Sequence, residues 1–123
     1  MSETCKVTSE RRGDVAILWT DGYINNQGGE EIARVAYSLV DEGYRTLLLD
    51  LAGSKIVNSI GISILIELIE KMIEIEGKLA FCNLTPTIQK TFHIMGLTQY
   101  AQIYPDEKAA FDQLGTTAAQ PGS

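Results

Sequence analysis

Residues 46–76, TLLLDLAGSKIVNSIGISILIELIEKMIEIE, decide the fold. Thr46 to Leu51 is a short, almost continuously apolar run, the pattern of a strand buried on both faces. Ala52 to Asn58 is more polar and reads as a loop. From Ser59 to Glu76 the polar positions Ser63, Glu67, Glu70, Lys71 and Glu74 recur three or four residues apart, which places them on one helical stripe. Gly77 is the expected stop. Ser59 is a favoured residue for the N-cap of this helix, where its hydroxyl would contribute about 1 kcal/mol by accepting a backbone N–H. A strand that feeds a helix through a short loop is half of a β-α-β unit, and the flanks supply the rest.

Upstream, Val7 to Arg11 and Val15 to Trp19 read as strands joined by the Arg12-Gly13-Asp14 turn, a hairpin. Asp21 to Gly29 is polar and glycine-rich, hence a loop. A helix is expected over Glu30 to Asp41, with Ile32, Val35, Ala36, Leu39 and Val40 at helical spacing and Glu30 and Glu31 in a first turn that favours acids. Downstream, Lys78 to Asn83 is a strand. Thr85-Pro86 opens a third helix, with Pro86 at its first position and Gly96 as its stop. Ala101 to Tyr104 is a short strand, and Asp106 caps a last helix to Leu114. The end, GTTAAQPGS at 115–123, is of low complexity and expected to be disordered. The order β-β-α-β-α-β-α-β-α predicts one α/β domain over 1–114. Its sheet is mixed but mostly parallel, of four to five strands, with about four helices packed on it.

The helix from Ser59 is apolar over most of its circumference, more than one sheet-facing stripe requires. Two readings account for this. The helix is wedged between the sheet and a neighbouring helix, or some of Ile60, Ile64 and Ile75 reach the surface as a docking patch.

The chain carries 10 Lys and Arg against 16 Asp and Glu, a formal charge of -6. That balance argues against nucleic acid as a partner, since phosphate recognition needs a basic footprint. The segment Ile60 to Ile75 is interrupted by charges and is not a membrane span. The start, MSETCKVTSERR, has no apolar leader-like core, and the two cysteines, Cys5 and Cys82, have no metal-type spacing. Reduced thiols in a cytoplasmic protein are the expectation.

Enzymatic chemistry finds little support. His93 is the single histidine, so no serine–histidine–acid order stands out. Gly53-Ser54-Lys55 lacks the upstream glycine of a phosphate-binding loop. Asp50 at a strand end resembles a phosphoacceptor, but Trp19-Thr20-Asp21 supplies only one of the further acids that would hold magnesium. No cofactor or metal set emerges. The junction from Asp50 to Ser63 remains, where a helix N-terminus presents free N–H groups and a positive dipole end. A phosphate on Ser59 would carry a charge near -2, which that end tolerates and a docked partner would not.

The segment DLAGSKIVNSIGISILIELIEKM resembles the signature of the STAS domain of anti-sigma factor antagonists. There a strand ending in Asp-Leu leads to Asp-Ser-Ser-Gly-Leu-Gly at the start of a long helix. Thr20 to Asn25 sits where that family has a Gly-Glu-Leu-Asp turn. Thr85-Pro86 is similar to its Ser-Pro helix start, and Phe92 to Leu97 to its Phe-x-x-x-Gly-Leu ending. The resemblance spans about residues 5 to 114. It implies a non-enzymatic, cytoplasmic partner switch. The unphosphorylated antagonist binds an anti-sigma factor, a serine-protein kinase of the GHKL type, and phosphorylation of the serine matching Ser59 ends the interaction. A PP2C-type phosphatase restores it. The partner-binding surface it implies comprises Asn25, Asn58, Ser59, Ile60, Gly61, Ile62, Ser63 and Ile64. The chain departs from the pattern at Asn58 (an acid in the family), Ile60 (a serine), Ser63 (a glycine) and Asn25 (an aspartate). The alternative is a STAS interaction module that is not phosphorylated, within a stress-signalling assembly or a lipid-transport complex. Homo-oligomerisation is left open.

Overall fold

The computed structural model describes residues 5–119, with side chains described as far as Leu114. Two strands, β1 (Lys6–Arg12) and β2 (Val15–Asp21), form the expected hairpin around Gly13-Asp14. Then follow α1 (Asn26–Asp41), β3 (Thr46–Gly53), α2 (Ser59–Glu74), β4 (Lys78–Cys82), α3 (Pro86–Ile94), a short 3-10 turn (Leu97–Gln99), β5 (Gln102–Tyr104) and α4 (Glu107–Ala119). The strands lie side by side in chain order. β1 is antiparallel to β2, and every later pairing is parallel.

That order dictates where the helices go. Parallel strands added one after another in a single direction need crossovers of one hand, so α1, α2 and α3 all fall on one face of the sheet. Ala16, Leu18, Leu47, Leu49, Leu51, Leu79 and Phe81 point into that face and pack against Ile32, Leu39, Leu65, Leu68, Ile88 and Phe92. Phe81 and Phe92 meet edge to face, their centroids 4.9 Å apart. α4 follows the last strand and is no crossover, so it can turn back to the other face. There Ala110 and Leu114 cover Val15, Ile17, Leu48, Ala80 and Cys82. Strand alternation separates the two sets: odd-numbered residues of β3 face α1–α3 and even-numbered ones face α4.

Several expectations shift. α1 begins at Asn26, not Glu30, so Gly28 and Gly29 lie inside its first turns and Glu30 and Glu31 lie beyond them. α2 ends at Glu74, and its left-handed terminal residue is Glu76 (φ 62°) rather than Gly77. α4 continues past Leu114 to Ala119. Of the stretch 115–123 expected to be disordered, residues 120–123 lie outside those described. α2 is the middle helix of its layer, packed on the sheet and on α1, which accounts for much of its apolar circumference.

Asp50 is not the free carboxylate that a phosphoacceptor would need. It points at the α4 face, 4% exposed, and accepts hydrogen bonds from the Ala52 N–H at 2.9 Å and Asn83 Nδ2 at 3.0 Å. Burial and a hydrogen bond with Glu107 push its carboxyl up, while the same bond lowers Glu107. Of the two carboxyls, Asp50 is thus the one that gives up its proton at the higher pH. Glu107 also accepts from Trp19 Nε1 at 2.7 Å and pairs with Arg12 at 3.5 Å, and Arg12 lies over the rings of Trp19 and Phe111. These contacts tie α4 to the sheet. Cys82 lies beneath, its thiol pushed up to about 12 by burial and then by the nearby acids. Neither Cys82 nor Cys5 is in a disulfide.

A group whose folded pKa is raised stabilises fully below its unfolded value and loses that contribution as pH rises through the folded one. The Asp50 proton should thus be lost above the ordinary carboxylate range, leaving two carboxylates in contact. Thermal melts across pH should show the wild type losing stability on this rise relative to Asp50→Asn, whose amide cannot ionise. Parallel curves would contradict the raised Asp50 carboxyl.

Candidate functional site

Beyond the ends of β2 and β3 the two chains stay together. The Gly22 N–H donates to the Gly53 carbonyl at 3.0 Å, and Ile24 and Val57 form a parallel bridge. In that bridge the Ile24 N–H donates to Ile56 O at 3.1 Å and the Asn58 N–H donates to Ile24 O at 3.0 Å. Beneath it the hydroxyls of Thr20 and Ser54, both buried, are hydrogen-bonded at 2.7 Å. The first turns of α1 and α2 therefore start side by side.

Each helix is capped by an asparagine. Asn25 Oδ1 accepts the Gly28 N–H at 2.9 Å, and Asn58 Oδ1 accepts the Gly61 N–H at 2.8 Å. Asn58 has the extended backbone of an N-cap (φ -95°, ψ 177°). This corrects the assignment of Ser59, which is the first helical residue and not the cap. Its side chain is exposed and enters no hydrogen bond among the described residues. The contact next to it is made by its carbonyl, which accepts from Ser63 Oγ at 3.0 Å.

The two glycines that follow let the helices approach. A Cβ on Gly61 would collide with the Ile24 carbonyl oxygen, so only glycine lets α2 begin against that strand extension. A Cβ on Gly29 would lie 2.8 Å from Cδ1 of Ile64, so α1 packs against α2 through this gap.

The implied partner-binding residues divide accordingly. Ser59, Ile60 and Ser63 are exposed, and Asn25, Asn58 and Ile64 are half-buried. Gly61 and Ile62 are buried. Ile62 is 1% exposed and belongs to the core, and Gly61 is buried under Ile24, so both shape the surface without lining it. Sequence reasoning missed Ile56. It is 57% exposed and lies, with Lys55, Gly22 and Tyr23, along a depression of about 210 Å³ at the same end of the molecule. Ile60 is 53% exposed. The missed signal was Asn-x-x-Gly, present at both 25–28 and 58–61. No cluster of three potential metal ligands exists among the described residues. No helix among them is long and apolar enough to cross a membrane.

Fold and site define a small α/β domain that presents paired helix starts at one end of a mostly parallel sheet. The chain belongs to the STAS domain family, whose profile matches residues 6–110. It is similar to the anti-sigma factor antagonist BtrV of Bordetella bronchiseptica, 24% identical over 105 residues, covering 85% of this chain and 90% of that one. The crystal structure of an anti-sigma factor antagonist from Thermotoga maritima superposes with a TM-score of 0.81 at 14% identity, covering 93% of this chain and 95% of that one. The phosphorylated form of the Bacillus cell fate determinant SpoIIAA gives 0.69 at 17% identity, over 89% of this chain and 99% of its own. These structures share the fold.

The capping assignment has a direct consequence for stability. Asn58→Ala should cost about 1 kcal/mol in urea denaturation, the usual effect of losing an N-cap. Ser59→Ala should stay within about 0.5 kcal/mol of wild type, as for an exposed position without a partner. The reverse ranking would restore Ser59 as the cap.

Proposed function

We propose that this protein is an anti-sigma factor antagonist that works by partner switching. Unphosphorylated, it binds an anti-sigma factor, a serine-protein kinase of the GHKL type, through Asn25, Asn58, Ser59, Ile60, Ser63 and Ile64. Phosphorylation of Ser59 releases it, and a PP2C-type phosphatase reverses the step. The protein acts in the cytoplasm and is not itself an enzyme. The relatives named as anti-sigma factor antagonists support the role.

The observation that carries the reading is the free hydroxyl of Ser59 at the first position of α2. Because Asn58 caps the helix, modifying Ser59 removes no native hydrogen bond. The N–H groups of the first helical residues have no intrahelical partner, and with the dipole they favour a phosphate. The fold therefore survives the added charge. A partner does not. Ile56 and Ile60, both more than half exposed, bracket Ser59, and covering them means covering the phosphate too. Burying a charge near -2 without a counter-ion costs more than two isoleucines contribute.

A second reading follows from the same two isoleucines. They support an interaction module that is never phosphorylated, within a stress-signalling assembly or a lipid-transport complex, with Ile60 as its main contact.

Incubation with candidate partner kinases and ATP, followed by mass spectrometry, should label Ser59 in the wild type and leave Ser59→Ala unlabelled. Equal labelling of Ser59→Ala would end the switch assignment. If no kinase labels the chain and Ile60→Glu abolishes partner capture while the circular dichroism spectrum is unchanged, the second reading holds.

A further inference from the structure

Among the described residues the large apolar side chains left more than half exposed fall into two groups. Ile56 and Ile60 belong to the Ser59 surface. Ile73, Met95 and Tyr100, with Ile94 beside them, lie at the far end of α2. There a groove of about 310 Å³ opens between the C-terminal half of α2 and the segment that follows α3, walled by Ile66, Ile69, Ile73, Met95, Leu97 and Tyr100. A neighbouring depression of about 170 Å³ shares Ile69, Ile73 and Tyr100 and prolongs it towards β5. The central position of α2 explains its apolar side towards α1. It does not explain this side, which no element among the described residues covers.

One charged residue interrupts the wall of the larger groove, whereas the depression beyond it adds Lys78 and Gln102. Glu70 lines the groove, is exposed, and enters no ion pair among the described residues. The adjacent base, Lys71, is paired with Glu74 at 3.7 Å. An apolar trough with one unpaired carboxylate in its side is complementary to apolar side chains that carry a cation among them.

We propose that this groove docks an amphipathic helix of a partner protein, with a Lys or Arg of that helix set against Glu70. The larger groove is walled by α2 and by the turn and 3-10 segment after α3, with no strand among its walls, so it offers no sheet edge to an added strand. Ile66, Ile69, Glu70 and Ile73 follow one another at spacings of three, one and three, the ridge into which a second helix packs. A second copy would bring another net charge of -6 and another Glu70 to the same place. An anionic bilayer is disfavoured on the same ground. Ser59 and Ile73 are 14 residues apart on one helix, roughly 21 Å at 1.5 Å per residue, so this site is separate from the Ser59 surface and does not depend on how that surface works.

The test uses the full chain, labelled with nitrogen-15, and two synthetic helical peptides: one of leucines at i, i+3, i+4 and i+7 with lysines elsewhere, the other with glutamates for the lysines. The lysine peptide should saturably shift the amides of 66–73 and 95–100, and the glutamate peptide should not. Glu70→Lys, Ile73→Glu and Tyr100→Ala should each weaken binding by roughly tenfold, the scale of losing one good interfacial contact. Glu30→Lys, the same charge change on α1, should leave it unchanged. Equal weakening by Glu30→Lys would reduce the effect to bulk charge and overturn the proposal. So would shifts confined to the Ser59 end, stronger binding to phosphatidylglycerol vesicles than to the peptide, or a dimer in analytical ultracentrifugation that Ile73→Glu abolishes.

Discussion

The bridge between Ile24 and Val57 is the constraint on which the paired helix starts depend. It extends the β2–β3 pairing beyond the sheet by two backbone hydrogen bonds, so that the segments leading into α1 and α2 cannot separate. Two helix N-termini are thereby fixed next to each other, and their uncapped N–H groups point out of the same surface. The absence of a side chain at Gly61 completes the arrangement, because the Ile24 carbonyl occupies the space a Cβ would need. Ser59 has its place because a backbone bridge some two residues away leaves α2 no other starting point.

Capping by Asn58 relieves Ser59 of any part in holding the helix start. At the N-cap a hydroxyl is engaged with the helix, and a phosphate there would have to replace that bond. One position later it is free, while the helix retains its cap from Asn58 Oδ1. Helix stability thus rests on the Asn58 side chain and leaves the neighbouring hydroxyl of Ser59 unengaged. The same division appears in α1, where Asn25 caps and polar neighbours remain exposed.

The composition of α2 follows from topology. Strands added in one direction place three helices on one face, and the middle one must be apolar towards the sheet and towards its flanks. α1 closes one flank, helped by the space Gly29 leaves for Ile64. The other flank stays open as the groove beside Met95 and Tyr100. Wedging holds along α1, and of Ile60, Ile64 and Ile75 only Ile60 is exposed, the other two being half-buried; Ile73, which the sequence did not single out, is exposed as well.

The alternation of elements was legible in the chain because it rests on local patterns. Thr46 to Leu51 could only be a buried strand, and Pro86 and Asp106 marked helix starts by their own chemistry. The hairpin at Gly13-Asp14 and the capacity of the Asp50–Ser63 junction to present a helix N-terminus came from the same kind of signal. The start of α1 was not legible, because Gly28 and Gly29 carry a loop signature. Only their packing against Cys5 and Ile64 shows why glycines stand inside a helix. Nor was the choice between Asn58 and Ser59 as cap, since both are good N-cap residues and stand side by side. The extended backbone of Asn58, held by its N–H to the carbonyl of Ile24, made that choice. Propensity and periodicity act over a few neighbouring residues and are written in order along the chain. Which hydroxyl is left free, and which isoleucines stay uncovered, depends on backbone groups more than thirty residues apart meeting in space, and only the tertiary structure decided them.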